Sequence, residues 1–102
     1  MNLSKLFEEV QTELTRAREK HPVNAKYLLH PETDPTVSQL ENSLVWRRKD
    51  NDTAESMGEH SHFAIIGEEC REIFTAKTKE ERHIEIVQAI ATLVRLDEDE
   101  EI

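Results

Sequence analysis

Apolar residues along this chain recur at three- and four-residue intervals and nowhere alternate long enough for a strand, so the pattern predicts helices. Leu3, Phe7, Val10 and Leu14 share one face of a first helix over about 3–20. It ends at His21-Pro22, because the residue before a proline disfavours helical geometry. A loop over about 21–34 follows. Asp34-Pro35 then reads as an N-cap with proline at the first helical position. The second helix carries Val37, Leu40 and Leu44 inward, has Trp46 near its end, and closes on Arg47-Arg48-Lys49, cations suited to a helix C-terminus. Asp50-Asn51-Asp52-Thr53 reads as a linker and the next cap. The third helix spans about 54–76, with Phe63, Ile66, Cys70, Ile73 and Phe74 as its apolar stripe. Gly67 within it weakens the helix by about 1 kcal/mol relative to alanine unless close packing uses the gap. Thr78-x-x-Glu81 has the form of a capping box. The fourth helix runs to about Leu96 and is expected to bury Ile84, Val87, Ile90, Ala91 and Val94. The acids at 97–101 face an unfavourable dipole at a helix C-terminus, so 97–102 reads as a frayed, solvated tail. The expectation is one all-α domain over 1–102, a bundle of about four helices. So small a chain buries little alone, so the bundle is expected to be completed by oligomerisation, as a homodimer or homotetramer.

Charge narrows the partners. Against 13 basic residues stand 22 acidic ones, a net charge of −9. That excess argues against a nucleic-acid polymer or an anionic lipid surface as partner and permits a divalent cation. No apolar run approaches the roughly 20 residues of a membrane span. The single Cys70 excludes an internal disulfide and sits in an apolar stripe, which reads as core. A cytoplasmic protein is expected. Trp46 reads as core or interface. His60-x-His62 does not make a zinc pair, because residues two apart on a helix do not face each other.

Some of the acids look placed. Glu69 and Glu72 are surface neighbours, Glu69 flanking the third helix's apolar stripe and Glu72 about 60° further on, and Glu81, Glu85 and Gln88 border the expected buried face of the fourth. Antiparallel packing through those faces brings the two acidic edges to one seam. Like charges at i,i+4 cost about 0.2–0.5 kcal/mol each, and a divalent cation removes that penalty. With 22 acids in 102 residues, such spacings also arise on solvated helix faces.

Glu68-Glu69-x-x-Glu72, twelve residues, then Glu85-x-x-Gln88 resembles the split acidic motif of the MazG-like all-α nucleoside triphosphate pyrophosphohydrolases, Glu-x-x-Glu, a spacer, then Glu-x-x-Asp. The run from His60 to Glu69 is similar to that family's leading helix. The run from Glu85 to Arg95 resembles a phage and bacterial branch that carries Glu-x-x-Gln, and Thr15 to Pro22 resembles that branch's opening helix. The core of the resemblance covers about 58–97; residues 23–57 match nothing nameable. The resemblance implies Mg²⁺-dependent hydrolysis of a (d)NTP to the monophosphate and pyrophosphate, with Mn²⁺ able to substitute. It implies Glu69, Glu72, Glu85 and Gln88 as metal ligands and Glu68 as an outer ligand or water-orienting group, so that Glu68, Glu69, Glu72 and Glu85 form the catalytic set. Lys20, His60, Arg82 and Arg95 are candidates to bind the nucleoside triphosphate, with Arg16 and the Arg47–Lys49 cluster as further cations. Gln88 stands where the commoner pattern has Asp; an amide oxygen ligates Mg²⁺ but carries no charge. The alternative expectation is therefore a non-catalytic helical nucleotide- or protein-binding protein that retains this fold.

Overall fold

The computed structural model describes residues 2–23 and 25–100 and contains four helices: α1 (Leu3–Lys20), α2 (Val37–Ser56), α3 (His62–Thr75) and α4 (Lys79–Glu100). Among the described residues there is no strand. The chain is all-α, as the apolar spacing implies.

Local chemistry sets the helix ends. The Asn2 side chain accepts from the Lys5 N–H and opens α1. Asp34 does not cap α2, because its carboxylate accepts from the His30 N–H at 2.7 Å and closes the preceding turn. The cap is Thr36, whose hydroxyl accepts from the Gln39 N–H at 3.1 Å while the Gln39 side-chain carbonyl accepts from the Thr36 N–H at 2.9 Å. The expected linker at 50–53 is helical, and α2 runs on to Ser56. The break falls at Gly58, whose φ of 69° suits glycine, and α3 starts after the Ser61 cap. Asn51 explains the continuation: its amide donates to the Ala64 carbonyl and to Glu68 Oε1, both at 3.1 Å, tying α2 to α3. At α4 the Thr78 hydroxyl accepts from the Glu81 N–H, and the Glu81 carboxylate reaches the Lys77 N–H, one residue before the cap. Asp97–Glu100 continue α4 rather than fraying, and Asp99 pairs with His62 at 2.9 Å across the α3/α4 pair. The remainder of the expected tail, residues 101 and 102, lies outside the described residues.

Helix α3 is central, packed between α2 and an antiparallel α4. Helix α1 packs closely on none of the other three. A groove of about 370 Å³ lined by Leu3, Phe7, Val87, Ile90 and Val94 runs between α1 and α4. Gly67 leaves room for cations: a Cβ there would lie 3.3 Å from Arg71 Nη1 and 3.8 Å from Arg47 Nε.

Burial corrects several expectations, and Val37, expected to point inward from α2, is 45% exposed. Leu44 is the buried apolar residue of the core, at 6% exposure. The half-buried positions of α4 are mostly Arg82, Glu85, Ala89, Thr92 and Leu96, the face turned to α3. Its richer apolar arc (Ile84, Val87, Ile90 and Ala91, with Val94 half-buried) is open instead. Cys70 is exposed, because α3 spends two faces on α2 and α4 and leaves Phe63 and Cys70 on the third. Trp46 is also exposed, at 64%, which removes it from the core. No helix of the described residues is long and apolar enough to cross a membrane.

Candidate metal centre

Antiparallel packing of α3 on α4 brings Glu69 and Glu72 of one helix against Glu85 of the other. One carboxylate oxygen from each lies within 4.8 Å of the other two. Glu69 and Glu85 share the half-buried seam, and each has an Oε2 atom out of reach of water with no hydrogen-bond partner. An unpaired buried carboxylate oxygen is expensive, and either a proton or a hard cation relieves it.

The electrostatics agree with the crowding. Burial raises the Glu69 carboxyl above its usual range, and the nearby charges of Glu85 and Glu68 add to it. Glu72 is pushed up to about 8, first by burial and then by hydrogen bonds with Glu85 and Glu68 that favour its protonated form. At neutral pH, without a cation, the cluster thus favours holding a proton, with Glu72 the most strongly raised of its carboxyls. A divalent ion that takes that oxygen must displace the proton. Glu68 faces the α2 side, where it accepts from the Asn51 amide.

Separate cavities flank the glutamates along α3. Toward the N-terminus of α3, Asn51, Glu55, His60, Ile65 and Glu68 line a cleft of about 230 Å³. Glu55, His60 and Ile65 are shared with a wider one of about 680 Å³ that reaches Thr92, Arg95 and Asp99. Toward the C-terminus of α3, Arg48, Glu72, Lys77, Glu81 and Glu85 surround a basin of about 380 Å³.

The expected site residues fall into three groups. Glu68, Glu69, Glu72 and Glu85 come together, and His60 and Arg95 line the adjoining cleft. Gln88 is exposed, and among the described residues its side chain makes no hydrogen bond to the glutamates. Arg82 is engaged elsewhere, donating from Nε to the Ile73 carbonyl and from Nη2 to the Ala76 carbonyl, where it caps α3. Lys20 ends α1 and lines none of these cavities. Sequence reasoning missed Asn51 and Lys77. The helical spacing of Arg47, Asn51 and Glu55 was the available signal for Asn51; nothing in the sequence marked Lys77.

Comparison with protein-family models, curated proteins and solved structures finds no match for this chain.

Proposed function

We propose that this chain is a divalent-cation-dependent nucleotide pyrophosphohydrolase that cleaves (d)NTP to (d)NMP and pyrophosphate. The observation that carries the proposal is the convergence of Glu69, Glu72 and Glu85 within 4.8 Å across two helices, with two of their oxygens buried and unpartnered. Three hard oxygen donors with room for water and phosphate oxygens suit Mg²⁺ or Mn²⁺. A cation bound there supplies charge neutralisation on the phosphate and lowers the pKa of a bound water. Glu69, Glu72 and Glu85 are the metal ligands in this reading. Glu68, held by Asn51, orients the attacking water from the side of the cleft. His60 and Arg95 take the nucleoside end. The resemblance of Glu68–Glu72 and Glu85–Gln88 to the MazG-like motif supplies the reaction class.

The assembly is a homo-oligomer in the same reading. A globular chain of 11.9 kDa exposes about 5,900 Å², whereas this one exposes 8366 Å². The excess of roughly 2,400 Å² matches what one protomer gives up in an obligate dimer. The radius of gyration of 15.9 Å, against about 13 Å for a compact chain of this length, points the same way. The open apolar arcs of α1 and α4 are the surface a second copy covers.

Purified protein with Mg²⁺ and a panel of normal and modified (d)NTPs tests the activity. Release of pyrophosphate, lost in Glu72→Ala, is expected. The alternative, a non-catalytic binding protein, draws on Gln88, which is exposed and uncharged where the commoner motif has Asp. Nucleotide binding without turnover of any member of the panel would establish that alternative.

A further inference from the structure

The cavities on the two sides of the glutamate cluster differ in charge chemistry, and the difference gives the site a direction. The cleft end carries the acids Asp52, Glu55, Glu68 and Asp99 against Arg95, with His60 beside them and His62 already paired with Asp99. Such a lining offers hydrogen-bond acceptors to a base or a ribose and repels a polyanion. The basin end carries two cations, Arg48 and Lys77. Neither is held in a tight ion pair. Arg48 stands 3.5 Å from Glu72, too long for a tight bidentate pair, and its side chain is 54% exposed. The Lys77 side chain has no ion-pair partner among the described residues, and its backbone N–H is held by Glu81, which fixes the residue at the rim.

We infer that Arg48 and Lys77 form the subsite for the leaving diphosphate: the β- and γ-phosphates lie in the basin, and the nucleoside monophosphate half lies in the cleft. This rests on the nucleotide-cleaving reading of the glutamate cluster. The same basin holds Glu72, Glu81 and Glu85, so two cations alone do not offset its acids. An anion enters only with the divalent ion, which makes diphosphate binding metal-dependent. Lys77 lies in the short α3–α4 connection and Arg48 on α2, so helices α2, α3 and α4 all contribute to one site.

The test is calorimetry on the full chain with two probes, inorganic pyrophosphate and a nucleoside monophosphate, each with Mg²⁺ and with chelator, beside a titration of Mg²⁺ alone. Arg48→Ala and Lys77→Ala are each expected to weaken pyrophosphate binding roughly tenfold, the size of one charged hydrogen bond. Both are expected to leave the affinity for the monophosphate unchanged; Lys77→Ala is expected to leave that for Mg²⁺ alone unchanged as well, whereas Arg48→Ala, which removes a cation 3.5 Å from Glu72, is expected to raise it slightly. Arg95→Ala is expected to do the reverse, and Arg48→Lys to recover part of the pyrophosphate affinity. Unchanged pyrophosphate binding in both alanine variants, or an equal loss for both probes, overturns the subsite while leaving the metal centre standing. Absence of any Mg²⁺ binding by the unmodified chain overturns the metal centre and the subsite together.

Discussion

Replacing Glu72 by glutamine is expected to stabilise the metal-free protein by an amount that grows as pH rises from 4.5 to about 8. A carboxyl whose folded pKa lies above its unfolded value keeps a proton that the unfolded chain releases, so its stabilising effect is present at low pH and lost as pH rises. For Glu72 the window runs from 4.5 to about 8. That span corresponds to about 5 kcal/mol at about 1.4 kcal/mol per pH unit. The Glu72 side chain is 13% exposed, and water reaches the cluster from the cleft and the basin, which lowers the effect to roughly 2–3 kcal/mol. The amide introduced by Glu72→Gln stays neutral throughout and still donates to Glu85 or Glu68. Wild type and Glu72→Gln should therefore melt together at pH 5 in chelator. By pH 8.5 a gap of roughly 10 °C or more should open in favour of the variant, at about 4–8 °C per kcal/mol for a domain of this size. Circular dichroism at matched protein concentration reads it. A gap that is independent of pH, or a wild type more stable than the variant at pH 8.5, refutes the reasoning.

Other outcomes follow from the same structure. Mg²⁺ or Mn²⁺ affinity should rise nearly tenfold per pH unit from pH 6 to about 8 and then level off, because the ion displaces the Glu72 proton; titration calorimetry at four pH values checks this. Leu44→Ala, at the buried core position, should destabilise the fold by about 2–5 kcal/mol by denaturant unfolding. Ile90→Glu, in the open arc of α4, should shift light-scattering mass toward the monomer and leave helical content unchanged; an unaltered mass would place the interface elsewhere. Asn51→Leu leaves the Glu68 carboxylate and the Ala64 carbonyl without their donor and should lower stability by about 1–3 kcal/mol.

Helix count and the seam of glutamates were legible because both depend on spacing. Leu3 to Leu14 and Ile84 to Val94 announce helices whatever they pack against, and Glu69, Glu72 and Glu85 follow from one antiparallel pairing. Boundaries were less legible where tertiary bonds override propensity. Asp50-Asn51-Asp52-Thr53 contains residues that favour caps, yet Asn51 bonds to α3 and holds the segment helical. Which face of a helix turns inward was the least legible. The most apolar arc of α4 ordinarily marks the core, but here the chain packs the Glu85–Ala89–Thr92 face on α3 and leaves that arc open. A single chain's pattern cannot distinguish a surface buried by its own helices from one suited to a second copy. Cys70 and Phe63 were misread for the same reason. Arg82 looked like a phosphate ligand by position, but the unsatisfied carbonyls at the end of α3 claim it.

The central claim is that the Glu69–Glu72–Glu85 cluster binds a divalent cation through which a nucleotide is held. Calorimetric titration of a non-hydrolysable (d)NTP analogue into the full chain at pH 8, with Mg²⁺ and with chelator, tests it most directly. The account predicts binding in Mg²⁺ alone, and its loss in Glu85→Gln. Equal analogue affinity in chelator, or Mg²⁺-dependent binding that survives Glu85→Gln undiminished, would contradict it.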